Sequence, residues 1–257
     1  MRRHRGPFVA LALVGALAAL VGCTGLPASP AFTACGRTAA DPSTTDLRPR
    51  VLTAADLAGY ADRYGEIPEG RLVVESAGRL KLVKGMLGAG SGYEAATATM
   101  EGVQVVPSPV TADVSLLVLD VAGGGQLIAY VELRLADEPA VRWREEPKLG
   151  IGTDGGDGGF VATALAPALR DKYADKAADD MFKAFFPQHD AATWNRCLLR
   201  STGGTVDGVL FFTGIGDGGY PTYLGLDQDG RVVAVVSEGW VVPWALSGLP
   251  GTPPEQH

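Results

Sequence analysis

The sequence predicts an α+β domain, mostly antiparallel β-sheet with two helices packed on one side. Three observations lead there. Runs of strand length rich in Val, Leu and Ile recur along the chain, as at 114–121 and 232–236, and such runs between turn signals mark strands. Glycine is abundant, at 35 residues, and much of it stands in clusters between those runs, which favours turns over a helical bundle. Only two later segments, 164–173 and 175–186, read as sizeable helices. Hydrophobic residues are 46% and charged residues 20% of 257 positions, enough apolar side chain to build a core.

The first residues read as an address. Arg2, Arg3 and Arg5 precede the apolar run Phe8–Val21, which is shorter than a membrane span and has the length of a secretory signal core. The run ends Leu20-Val21-Gly22-Cys23, which resembles the bacterial lipobox. That resemblance implies cleavage of residues 1–22, a diacylglycerol on the Cys23 thiol and further palmitate-type acylation. Two or three acyl chains hold a membrane where one does not. A plain secretory signal with an incidental cysteine is the alternative. Localisation is then extracytoplasmic, lipid-anchored to a bacterial cell membrane.

Formal net charge is −7, and loss of the three signal arginines takes it to −10. An acidic chain without a basic patch argues against nucleic acid and against a polybasic grip on lipid. Residues 23–50 are small, polar and proline-bearing, a composition that reads as a flexible tether. With Cys23 acylated, Cys35 and Cys197 remain as an even pair in an oxidising compartment. Either they form a disulfide or they are two free thiols; sequence gives no distance.

The globular domain is expected over 51–245, followed by a disordered tail at 246–257. The segment 51–64 reads as a short helix capped by Thr53. Arg71–Val74 and Arg79–Val83 flank Ser76-Ala77-Gly78, which reads as a hairpin. The stretch 85–91 is glycine-rich and ambiguous. Strands are expected at 103–106, 114–121 and 127–135, with a short edge piece at 141–146. The nearly continuous apolar run at 114–121 suits a strand covered on both faces. Thr163 caps the helix at 164–173. In the helix at 175–186, Ala178, Met181, Phe182, Phe185 and Phe186 form one stripe, which reads as core packing rather than a cofactor box. The stretch 209–238 reads as three strands joined by two Gly-Asp turns, one closing sheet unit.

Several phrases carry a family likeness. They are Arg134-Leu135-Ala136-Asp137-Glu138-Pro139-Ala140-Val141-Arg142-Trp143, the Gly-rich turn at 150–160, and the closing Gly216-Asp217-Gly218-Gly219-Tyr220-Pro221-Thr222-Tyr223-Leu224-Gly225-Leu226-Asp227-Gln228-Asp229-Gly230. In these the chain resembles domain-of-unknown-function family 4241 over about 129–238. That likeness implies fold and boundaries and brings no activity with it. The family's acidic-aromatic phrase after the last strand corresponds here to Ser237-Glu238-Gly239-Trp240.

The chemical candidates are the two Gly-Asp clusters. Asp154 and Asp157 lie in one, and Asp217, Asp227 and Asp229 in the other. Carboxylates in flexible glycine loops can hold a hard cation, calcium above all in an exported protein. Equally, Asp-Gly pairs serve turns, and 227–230 reads as a hairpin turn. Tyr220 and Tyr223 are expected on opposite faces, so at most one lines a pocket with Asp217. Such a pocket suits a polar small molecule or a protein segment. The domain has one histidine, His189, and no nucleophile elbow or phosphate-binding loop with its required context. Three readings follow. The first is a lipid-anchored, non-catalytic binding or interaction module. The second is a hydrolase using the carboxylates of Asp154, Asp157 and Asp217. The third is a calcium-stabilised structural domain.

Overall fold

The structure is a computed structural model that describes residues 31–36, 50–52, 70–97, 100–121, 126–163, 196–200 and 206–255. In chain order the strands are β1 (Ala31–Gly36), β2 (Arg50–Leu52), β3 (Gly70–Leu82), β4 (Met86–Gly90), β5 (Val103–Gln104), β6 (Val110–Val121), β7 (Gln126–Arg134) and β8 (Arg142–Glu145). They continue with β9 (Ile151–Thr153), β10 (Asp157–Ala162), β11 (Arg196–Arg200), β12 (Val206–Phe212), β13 (Gly218–Tyr220), β14 (Thr222–Leu226) and β15 (Val232–Glu238). Helix α1 (Gly92–Thr97) follows β4, and α2 (Trp244–Ser247) follows β15.

A seven-stranded sheet runs β2-β3-β6-β7-β15-β14-β8, a six-stranded sheet runs β1-β11-β12-β10-β4-β5, and β13 and β9 form a two-stranded ribbon. All ladders between these strands are antiparallel. One core joins Leu80, Leu116, Val131 and Val235 of the larger sheet to Leu87, Phe160, Val209 and Phe211 of the smaller. The two sheets therefore pack face to face, burying alternate residues of each strand. A second core lies on the other face of the larger sheet. There Leu117, Leu119, Tyr130, Trp143, Tyr223 and Val236 meet Val241, Val242 and Trp244 of the segment after β15. Strands β6, β7 and β15 contribute to both cores, which is why β6 is buried without interruption from Val114 to Leu119.

Three expectations change. The hairpin at 71–83 is one strand, β3. Both of its halves pair with β6, and the register slips by one residue between Ser76 and Gly78. Gly78 has φ +85° and its N–H donates to Ser76 Oγ at 3.1 Å. The Ser-Ala-Gly triplet is thus a bulge that inserts a residue without reversing the chain. The ambiguous 85–91 stretch begins at the last residue of a short 3-10 turn, Val83–Gly85, and is otherwise mostly β4. The stretch 209–238 is not one sheet unit: β12 lies in the six-stranded sheet, β13 in the ribbon, and β14 and β15 in the seven-stranded sheet. The first Gly-Asp turn is therefore a crossing between sheets.

The edge piece at 142–145 is an edge strand, β8. Beyond residue 245, Trp143 Nε1 donates to the Pro250 carbonyl at 2.8 Å and the Thr252 N–H to the Val141 carbonyl at 2.9 Å. The stretch read as a tail thus lies along β8 through at least Thr252. Within the stretch read as a tether, β1 pairs with β11, and β2 at its end pairs with β3. Mostly antiparallel sheet stands as the fold, with two short helices among the described residues. The helices expected at 164–173 and 175–186, most of that expected at 51–64, and Cys23 lie outside the described residues.

Candidate functional site

The ribbon builds the site. Gly218 pairs with Thr153, Gly219 with Gly152 and Tyr220 with Ile151. This ladder brings the loop 154–156 against the loop 213–217, so the first Gly-Asp cluster meets the Asp217 part of the second, while Asp227 and Asp229 lie apart in the β14–β15 turn. The Thr213 N–H donates to the Gly156 carbonyl at 3.0 Å, and a Cβ on Gly156 would stand 3.9 Å from Asp217 Oδ1. The Thr213 side chain closes its own loop by donating to the Gly216 carbonyl at 2.8 Å.

The carboxylates divide by burial. Asp154 and Asp217 are exposed, and Asp157 is buried. Asp157 faces the fold: its Oδ2 accepts the Gly92 N–H at 2.5 Å and its Oδ1 the Thr153 hydroxyl at 3.3 Å. Thr153 Oγ1 accepts the N–H groups of Gly155 and Asp157 at 3.1 and 3.2 Å. Asp157 thereby satisfies an N–H at the start of α1. Ser91 and Glu94 complete that terminus reciprocally. The Ser91 N–H donates to Glu94 Oε2 at 2.8 Å, and the Glu94 N–H to Ser91 Oγ at 3.3 Å, a capping box. Ser91 stands between strand and helix, as a nucleophile would, but its hydroxyl is engaged in the cap. Among the described residues, no group of three or more His, Cys, Asp or Glu is placed to hold a metal ion.

Asp157→Ala is expected to cost about 2 kcal/mol, the upper range for a lost helix cap, and to raise hydrogen exchange at Gly92. Asp154→Ala and Asp217→Ala should leave the denaturation midpoint within about 0.5 kcal/mol of the parent, as exposed changes do. Equal losses in all three would contradict this division.

The tyrosines part, though not as two faces of one strand: Tyr220 ends β13 and Tyr223 lies in β14. Tyr220 lies in the core between the sheets and Tyr223 in the outer core. Tyr220 supports the loop that carries Asp217: its hydroxyl lies 2.6 Å from the Gly216 carbonyl and 3.2 Å from that of Thr213. Tyr223 is buried and its hydroxyl donates to Glu238 Oε2 at 3.4 Å. Burial, then the charges of Glu238 and Glu145, push its phenol well above the ordinary tyrosine range. Asp227 belongs to the β14–β15 turn. Its Oδ1 accepts the N–H groups of Asp229 and Arg231 at 2.9 and 2.8 Å, and its Oδ2 the Arg231 Nε–H at 2.8 Å. Burial alone would raise the Asp227 carboxyl, but these bonds outweigh it and hold the group below the usual carboxylate range.

A depressed carboxyl stabilises the fold above its unfolded pKa, and that stabilisation disappears as pH falls through the folded value. Asp227→Asn should therefore melt lower than the parent at pH 7, with the gap closing only as pH falls below about 4. Melting curves from pH 7 to 3 measure this; a gap independent of pH would contradict it.

Two residues of the acidic-aromatic phrase, Glu238 and Trp240, join the site, a role that the phrase did not assign them. Glu238 is 1% exposed and contacts Tyr130 Oη at 3.3 Å as well as Tyr223. Trp240 is half-buried with φ +58°, a left-handed conformation uncommon outside glycine, Asn and Asp. Its indole N–H donates to the Gly219 carbonyl at 2.9 Å. The sequence signal was a Glu closing an apolar strand, followed by Gly-Trp. Beneath the loop, Ile128, Phe211, Thr213, Tyr220 and Glu238 line a cavity of about 10 Å³, room for about one water. The accessible surface is instead the glycine ribbon. Gly152 and Gly219 are exposed, with no atom within 4 Å of where a Cβ would stand. Exposed Asp154 and Asp217 and half-buried Trp240 lie around it.

The family described as "Protein of unknown function (DUF4241)" matches residues 103–237. The chain belongs to this family. No characterised protein and no solved structure matches it significantly. The match spans β5 to β15 and so includes both Gly-Asp loops, the ribbon, Tyr220 and Tyr223. Within the DUF4241 segment, the motif glycines and aspartates divide between turn formation at Asp227–Gly230 and the meeting of two loops at Gly156 and Gly216.

Proposed function

We propose that this DUF4241 protein is a lipid-anchored, extracytoplasmic binding module, held to the membrane through acylated Cys23. Its binding face is the glycine ribbon with Asp154, Asp217 and Trp240. The helices at 164–173 and 175–186 complete the α+β domain on one side. The observation that carries the reading is the pairing of β9 with β13, which sets two exposed carboxylates around an open glycine floor beside an indole. Carboxylates accept hydrogen bonds from hydroxyl or ammonium donors, and an indole face gives apolar contact. That chemistry suits a polar ligand such as a saccharide or a short peptide. Asp157 is already committed to capping α1, which favours binding over a three-carboxylate hydrolase.

The test is a tryptophan-fluorescence titration of the purified chain with panels of soluble oligosaccharides and short peptides. A saturable signal, lost in Asp217→Ala at unchanged melting temperature, is the expected result. Turnover in a hydrolase panel that disappears in Asp217→Ala with the fold intact would overturn it. A melting temperature raised by calcium and lowered by chelator would favour the calcium-stabilised reading instead. Cell fractionation checks the anchor: Cys23→Ser should move the chain from the membrane to the soluble fraction.

A further inference from the structure

We infer that Cys35 and Cys197 form a disulfide that staples strand β1 to the edge of the six-stranded sheet. β1 is the outermost strand of that sheet, and β11 lies between it and β12. In the β1–β11 ladder Cys35 is the partner of Cys197, flanked by Ala34 opposite Leu198 and Gly36 opposite Arg196. This register depends on an irregularity. Ala31 opposes Arg200 and Phe32 opposes Leu199, and the pairing then slips by one residue before Ala34. Continued without the slip, the ladder would set Cys35 opposite Arg196. A one-residue bulge thus brings together the two cysteines that remain once Cys23 is set aside.

Directly opposed residues of an antiparallel pair have Cα atoms about 4.5 or 5.5 Å apart. Both separations lie within the roughly 4.4–6.8 Å that a disulfide spans. The bond forms by thiol–disulfide exchange with an external disulfide, either a small molecule or an oxidoreductase. One cysteine thiolate attacks that disulfide and releases one of its sulfurs as a thiol. The second cysteine then attacks the mixed disulfide, joins Cys35 to Cys197 and releases the other thiol. Two protons and two electrons pass from the cysteines to the oxidant.

The staple fixes where the domain sits, a consequence that rests on the lipid-anchor reading. With β1 bound from Ala31, only Thr24–Pro30 separates Cys23 from the sheet. Those residues reach roughly 25 Å fully extended, at about 3.5 Å per residue. The bond keeps β1 from peeling away and holds the domain beside the bilayer.

The experiment uses the purified full chain, equilibrated with a mixture of reduced and oxidised glutathione and then blocked with a thiol reagent. Because the oxidant is supplied, the outcome is independent of where the chain resides, and cell fractionation reports on the anchor separately. Peptide mapping without reductant should recover a peptide joining Cys35 to Cys197. Cys35→Ser should leave Cys197 open to the thiol reagent in the denatured protein, and Cys197→Ser should do the same for Cys35. Reduction should lower the melting temperature by about 10 °C, the effect of losing a bond that closes a long loop. Recovery of Cys35 and Cys197 as blocked free thiols overturns the proposal. So does linkage of either to Cys23 or to a second copy of the chain.

Discussion

Gly214→Ala should lower stability by about 3 kcal/mol or more, from overpacking and backbone strain together. A Cβ at Gly214 would stand 1.8 Å from the Gly239 carbonyl oxygen and 2.6 Å from its carbon. The obstruction is backbone, so no rotamer change relieves it. Gly214 also has φ +29°, which an L side chain rarely adopts. Gly239 cannot retreat easily, since its N–H donates to the Ala129 carbonyl at 2.7 Å and its own Cβ position lies 2.2 Å from the Ile128 oxygen. This contact seats the Asp217 loop on the end of β15. Gly219→Ala is the control, having no atom within 4 Å of its Cβ position, and should change stability by less than about 0.5 kcal/mol. Urea denaturation of the two variants measures the contrast; equal midpoints would refute the close approach.

The other large effect is expected at Trp244. It is 4% exposed in the outer core and makes edge contacts with three rings. Its ring centre lies 5.6 Å from that of Tyr130, 5.3 Å from Trp143 and 5.2 Å from Tyr223. Trp244→Ala removes these pairs and leaves a cavity, a loss of about 3–5 kcal/mol. Trp244→Phe should lose far less. It keeps a ring in place, and the buried indole N–H it removes has no hydrogen-bond partner among the described residues, so no bond is forfeited. Chemical denaturation with near-ultraviolet circular dichroism distinguishes the two variants. A phenylalanine variant as unstable as the alanine one would show that the ring contacts do not carry the effect.

The legible parts of the fold were those that depend on neighbours in sequence. The apolar run of β6 predicted a strand covered on both faces, and Leu117 and Val118 do point into separate cores. The turn at Asp227–Gly230 was readable because Asp227 takes its bonds from residues up to four positions along. Strand periodicity also predicted that Tyr220 and Tyr223 would part, but they do so because Tyr220 ends β13 in the ribbon while Tyr223 lies in β14 of the seven-stranded sheet. Where sequence reading failed, punctuation was ambiguous. Ser76-Ala77-Gly78 has the composition of a turn and serves as a bulge. That choice depends on β6 being available to pair with both halves of β3.

For the candidate site, the residue types were legible and their roles were not. Asp154, Asp157 and Asp217 look alike in sequence, yet Asp157 caps a helix 65 positions away while the other two are exposed. Ser91 acquires its capping partner within three residues, so its role was in principle local. Trp240 and Glu238 gained theirs from distant strands.

By itself the sequence determined the predominance of strands, the hairpin turn at 227–230, an acidic net charge and membership in a family recognisable from its Gly-Asp phrases. These follow from side-chain periodicity, backbone preference and charge, all properties of short segments. Tertiary structure alone decided that 209–238 crosses between sheets, that the two Gly-Asp loops meet at the β9–β13 ribbon, and that Cys35 falls opposite Cys197. Those are outcomes of strand pairing between distant segments. A slip of one residue changes every partner, and only the packing of both faces of a sheet selects the register.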